Sequence, residues 1–80
     1  MEEIIDELYE IYKNIEQDSE LKREDVTPEL RIKEDLGLNS IGLLYLVMGI
    51  EKAFCISLKN SSIESFITIG DVAKYLEENA

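Results

Sequence analysis

The segment EDLGLNSIGLLYLVMGIEKAF, residues 34–54, decides how this chain folds. Gly37 permits a tight turn, Asn39 and Ser40 both suit the capping position that precedes a helix, and apolar residues then recur through Phe54. The pattern predicts a helix over 40–54 with the Ser40 hydroxyl at its mouth. The first backbone N–H groups of a helix have no internal acceptor and sit at the positive end of its dipole, so a phosphate is favoured there.

This helix is apolar around more of its circumference than a surface helix needs. One stripe, Leu43, Leu46, Val47, Ile50 and Phe54, is enough to face a core. A second set, Ile41, Leu44, Tyr45 and Met48, points elsewhere. It either crowds the core or leaves an exposed apolar patch for a partner to cover. Gly42 and Gly49 each weaken the helix by up to about 1 kcal/mol relative to alanine and permit close approach of another backbone.

Toward the N-terminus, Ile4, Ile5, Leu8, Ile11, Tyr12 and Ile15 recur at three- and four-residue spacing with acids between them, which predicts an amphipathic helix over 2–17. The acids Glu2, Glu3, Asp6, Glu7 and Glu10 form its solvated face. Residues 18–39 are polar and irregular, with Pro28 disfavouring helix at Thr27. A loop of this length needs anchors, and Val26, Leu30, Ile32, Leu36 and Leu38 are the candidates. Beyond the central helix, the capping residues around Ser61 and the apolar Ile63 and Phe66 predict a short helix over 61–66. Thr68 with Asp71 three positions on starts a last helix whose inner stripe is Ile69, Val72, Ala73 and Leu76. The expected fold is all-α: a small antiparallel bundle of three main helices plus one short helix, with a long loop after the first, forming one domain over 1–80.

The chain has 80 residues, with 8 basic and 18 acidic side chains and a net charge of −10. Such a charge repels nucleic acid and anionic membranes and suits basic protein partners. The acidity is uneven: residues 1–35 hold 13 acids against 5 bases, whereas 36–80 hold 5 against 3. Cys55 is the single cysteine, so no intrachain disulfide or multi-cysteine metal site forms, and it reads as a small buried or half-buried hydrophobe. There is no histidine, which removes Ser-His-Asp and Cys-His catalysis and the common zinc sets. No segment reaches the roughly 20 apolar residues that span a bilayer. A non-enzymatic, cytoplasmic, monomeric protein without metal or membrane insertion is expected.

Asp35-Leu36-Gly37-Leu38-Asn39-Ser40-Ile41, the apolar run to Phe54, and then Ile56 and Leu58 resemble the signature of acyl carrier proteins, and the resemblance extends from about Ile32 to Leu76. It implies that Ser40 carries 4'-phosphopantetheine, transferred from coenzyme A by a phosphopantetheinyl transferase, with Asp35, Leu36, Gly37, Asn39 and Ile41 as motif neighbours. It implies that Ile41, Leu44, Tyr45, Met48 and Glu51 face acyl-transferring or synthase enzymes. Leu46, Val47, Ile50, Phe54, Leu58, Ile63, Phe66 and Ala73 are the candidate lining for an acyl chain, because an apolar chain gains about 0.8 kcal/mol per methylene on leaving water. The same residues also serve as ordinary core.

The chain departs from the family pattern in two respects. Asn39 stands where aspartate is usual, and Gly42, Tyr45 and Lys52 stand where the family has acids on the exposed face of the helix, which leaves Glu51 the only acid between Asn39 and Phe54. Fatty-acid or related synthesis is the leading function; carriage of polyketide or aminoacyl intermediates fits the same signature. A non-carrying helical interaction module in which Ser40 is only a helix cap is the alternative from another class.

Overall fold

The apolar spacing of the N-terminal segment produces helix α1, Glu2–Ile15, which buries Ile5, Leu8, Ile11 and Tyr12 on one face. Acids in its first turn and Lys13 in its last complement the helix dipole. The computed structural model describes residues 2–79. Three further α-helices follow: α2 (Ser40–Phe54), α3 (Asn60–Ser65) and α4 (Ile69–Asn79), with a single 3-10 turn at Arg23–Asp25 inside the long loop. The protein is an all-α bundle in which α1 packs against both α2 and α4. Among the described residues the only β-type pairing is an isolated antiparallel bridge between Arg31 and Thr68.

Helix α1 ends two residues before the expected Gln17 because its last turn is drawn into the loop. The Tyr12 hydroxyl and Ser19 Oγ lie 2.9 Å apart, and Lys13 Nζ donates to the Ser19 carbonyl at 2.7 Å. Tyr9 adds a bond from its hydroxyl to the Leu21 carbonyl, 2.9 Å. Arg23 reaches back to the carboxylate of Asp6. The loop is thus fastened along α1 before it crosses the bundle.

The crossing depends on apolar anchors and three backbone bonds. Val26, Ile32, Leu36 and Leu38 are buried, and Leu30 packs half-buried against the same core. Ile32 is 1% exposed, a burial worth about 1.5–3 kcal/mol. Between these anchors, Ile32 N–H donates to the Ile67 carbonyl (2.9 Å), Ile69 N–H to Leu30 (2.8 Å), and Gly70 N–H to Pro28 (2.8 Å). The last contact needs a glycine: a Cβ on Gly70 would lie 2.8 Å from the Pro28 carbonyl oxygen and 3.1 Å from its Cβ.

Helix α4 starts with a reciprocal cap. Asp71 N–H donates to Thr68 Oγ1 (3.1 Å), while Asp71 Oδ2 accepts from the N–H groups of Thr68 (3.0 Å) and Ile67 (3.1 Å). These backbone bonds, Thr68's first, hold the Asp71 carboxyl below the ordinary carboxylate range, with further help from the Thr68 hydroxyl and Lys74. Helix α3 is different in kind. It starts one residue earlier than expected, contains no buried residue, and has no side-chain cap bond at Lys59. Cys55 also departs from expectation. It is exposed because the chain leaves α2 through a left-handed conformation at this residue (φ 55°), which directs the thiol away from the core.

Gly70→Ala is expected to lower stability by about 1–3 kcal/mol, because the obstacle is backbone rather than a flexible side chain; urea denaturation measures it. For Asp71 the sign follows from a depressed folded-state pKa. Its contribution is complete above the ordinary carboxylate range and is lost as pH falls through the folded value. The stability gap between wild type and Asp71→Asn should therefore be present at neutral pH and close below about pH 4, as read from thermal melts across that range.

Candidate functional site

The approach to α2 is a turn, two buried leucines and a cap. Gly37 takes φ +68°, and a Cβ there would meet nothing within 4 Å, so the demand for glycine is conformational. Leu36 and Leu38 on either side are buried and fix the height of the turn against the core. Asp35 is engaged before the site: its Oδ2 accepts from Arg31 N–H at 2.8 Å and lies 3.8 Å from Arg31 Nε. Arg31 also pairs with Glu34 at 2.6 Å.

Asn39 is the N-cap. Its backbone is extended (φ −83°, ψ −174°), its Oδ1 accepts from Gly42 N–H at 2.8 Å, and its carbonyl accepts from Leu43 N–H at 2.8 Å. The capping role considered for Ser40 thus belongs to its neighbour. Ser40 is the first helical residue, exposed, and its hydroxyl makes no hydrogen bond to another described residue. Asparagine and aspartate are equally good caps, so the exchange at position 39 preserves the geometry and removes one negative charge beside Ser40. No acid lies in the first turn of α2. A free hydroxyl, orphan N–H groups at Ser40 and Ile41, and a positive dipole end fit a phosphodiester. The same place has no histidine to activate the hydroxyl, because the chain contains none.

The expected partner face divides. Ile41 (63%), Leu44 (56%), Tyr45 (55%) and Met48 (55%) are exposed large hydrophobes, so they do not crowd the core. Glu51 does not stand with them. It is half-buried, and its Oε2 accepts from Leu58 N–H at 2.7 Å while its carbonyl accepts from Cys55 and Ile56 at the end of α2. Glu51 thereby holds the turn that leads to α3. Spacing could not reveal this bond, which crosses a helix end; the i,i+4 pair Arg31–Asp35 was open to such a reading.

The candidate acyl lining also divides. Leu46, Ile50, Phe66 and Ala73 lie in the contiguous core, with Phe54 and Leu58 half-buried against it. Val47 is buried and Ile63 half-buried, yet neither belongs to that cluster. Phe66 packs edge-on against Tyr75, centroids 5.6 Å apart, and borders a cavity of about 120 Å³ shared with Arg31, Lys33, Glu34, Glu64 and Ile67. Among the described residues no group of His, Cys, Asp and Glu could hold a metal ion, and no helix is long and apolar enough to cross a membrane.

Residues 10–76 match the family described as phosphopantetheine attachment site, so the chain falls within that class of small carrier domains. It is 39% identical over 59 residues to an acyl carrier protein of Phytoplasma australiense, covering 74% of this chain and 78% of the relative. It is 39% identical over 54 residues to the acyl carrier protein of Helicobacter pylori (strain ATCC 700392 / 26695), covering 68% and 69%. In structure it superposes on the acyl carrier protein from Enterococcus faecalis with a TM-score of 0.75 and 26% identity, covering 100% of this chain and 99% of the other. The chain belongs to the acyl carrier protein family, whose prosthetic group is covalently attached 4'-phosphopantetheine. Members of this family are carriers and not enzymes by themselves.

The assignment of the cap to Asn39 has a measurable consequence. Asn39→Ala should cost about 1 kcal/mol in urea denaturation, while Asn39→Asp should keep stability at or above the wild-type level.

Proposed function

We propose that Ser40 is the residue to which 4'-phosphopantetheine is joined, and that the chain carries acyl intermediates for fatty-acid or closely related lipid synthesis. The observation that carries this reading is the Ser40 hydroxyl, exposed and without a hydrogen-bond partner among the described residues, while Asn39 supplies the cap. When bound, the group supplies a terminal thiol that holds an acyl group as a thioester.

The chain's own residues have passive but specific parts. Asn39 keeps the Ser40 hydroxyl free and the helix end closed. Gly37, Leu36 and Leu38 set the position of the helix start against the core. The N–H groups of Ser40 and Ile41, with the α2 dipole, favour the negative charge of a phosphodiester at this point. The base that takes the Ser40 proton comes from the transferase in this reading, because this chain has no histidine and no acid in the first turn of α2. Core residues Leu46, Ile50, Phe66 and Ala73, with Phe54 and Leu58 beside them, are the apolar groups an acyl chain would meet on entering the bundle. Polyketide or aminoacyl cargo would use the same attachment, and cargo is decided by mass analysis of the native thioester.

Incubation with coenzyme A and a broad-specificity phosphopantetheinyl transferase should add one 4'-phosphopantetheine mass to the wild-type chain and none to Ser40→Ala, read by intact mass spectrometry. No adduct on the wild type with several transferases would end the carrier reading. An adduct retained by Ser40→Ala would move the site elsewhere.

A further inference from the structure

Tyr12 is a buried residue of α1 whose hydroxyl reaches two residues outside the helix, Ser19 Oγ at 2.9 Å and the Leu36 carbonyl at 3.5 Å. A phenol has one proton to donate, and a carbonyl can only accept. Both contacts are used when Ser19 Oγ donates to Tyr12 and Tyr12 donates to Leu36. Ser19 Oγ in turn accepts from Leu21 N–H at 3.2 Å. Among the described residues the Leu36 carbonyl has no other hydrogen bond, and Leu36 is buried, so the Tyr12 hydroxyl is its one protein donor.

That carbonyl belongs to the peptide unit that joins Leu36 to Gly37, the residue whose φ of +68° turns the chain toward α2. Glycine populates both signs of φ about equally, so its presence permits this turn without selecting it. The peptide unit is planar, and a donor that holds its oxygen limits rotation about the adjoining bond that sets the Gly37 φ. On the other side of Leu36, the N–H donates to the Arg31 carbonyl at 3.2 Å. We propose that Tyr12 is a positioning residue for attachment at Ser40: through the Leu36 carbonyl it selects the Gly37 turn, and with it the place of the Asn39 cap and the Ser40 hydroxyl. The effect on attachment rests on the Ser40 reading; the effect on the turn does not. Without the Tyr12 hydroxyl the turn divides its time among conformations, and a transferase that binds only the native one meets an apparent affinity reduced by that fraction.

Tyr12→Phe removes the hydroxyl and keeps the ring in the core. Tyr9→Phe is the control, because it removes a 2.9 Å bond from the same helix to the same loop, at the Leu21 carbonyl and not at the turn. The amides of Gly42 and Leu43 bond to the Asn39 cap and report on it by hydrogen exchange. They should exchange about three- to tenfold faster in Tyr12→Phe than in wild type, after correction for the change at Leu76 in the core of α4, and at the wild-type rate in Tyr9→Phe. With coenzyme A and a broad-specificity phosphopantetheinyl transferase, KM for the chain should rise by about the same factor in Tyr12→Phe at unchanged kcat, and neither should move in Tyr9→Phe. Ser19→Ala takes away the hydroxyl's other partner and leaves its proton on Leu36, so both readouts should stay within about twofold of wild type. Wild-type exchange at Gly42 and Leu43 in Tyr12→Phe, equal changes in Tyr12→Phe and Tyr9→Phe, or a Ser19→Ala chain that behaves like Tyr12→Phe would overturn the proposal. Faster exchange with an unmoved KM would overturn it as well, by separating the turn from attachment. The Ser40 reading fails by a different result, a wild-type chain that takes no adduct while the exchange differences between the variants remain.

Discussion

The position of the site depends on the strap formed where residues 28–32 run beside 67–70. Three backbone hydrogen bonds and the burial of Ile32 tie the long loop to the start of α4. Without that tie a loop of this length would have many ways to cross the bundle, and the free energy of ordering it would have to be met by side-chain burial alone. With it, the chain reaches Leu36 and Leu38 at a fixed depth. The Gly37 turn and the Asn39 cap then follow within a few residues, and Ser40 is placed by a succession of local constraints that begins at the opposite end of the sequence.

Charge and apolar surface are segregated on this framework. The acidic residues lie mostly on α1 and the loop, whereas α2 shows water an apolar face with the exposed Lys52 toward its end. In many small acidic proteins the charge that keeps the molecule soluble also guides its partners. Here the charge is concentrated in residues 1–35, which hold 13 of the 18 acids, while the surface of α2 that follows Ser40 is apolar. The engagement of Glu51 with Leu58 strengthens this division by turning the one acid of α2 to a structural use.

Much of this was legible in the sequence where the interactions are local. The bounds of α2 follow from the apolar run between Asn39 and Cys55, and the Thr68–Asp71 cap follows from spacing and side-chain chemistry. The loop anchors Val26, Ile32, Leu36 and Leu38 could be found because apolar residues in a polar segment have few other places to go. The strap was not legible, since a backbone bond between Ile32 and Ile67 leaves no mark in side-chain type. Nor was the conformation of Cys55, because the left-handed end of a helix is usually signalled by glycine and here falls on a residue that reads as a buried hydrophobe. At the site, a serine beside an asparagine left the cap ambiguous, and only backbone geometry distinguishes the residue that closes the helix from the one left free. Apolar character put Val47 and Ile63 with the other candidate lining residues; tertiary packing separates them from the contiguous core.

Helix α3 has no buried residue, and its N-cap residue makes no side-chain cap bond. Its six residues therefore add little to the cooperative core formed by α1, α2, α4 and the strapped loop. Such a segment can detach and re-form at a free energy well below that of global unfolding, as a small independent foldon. Amide protons in 60–65 would then exchange with solvent through a local opening while those of α1 and α4 wait for the whole domain to unfold. The bundle thus has one wall, α3, with no buried residue of its own, tied to α2 through the Glu51–Leu58 bond at the end opposite Ser40.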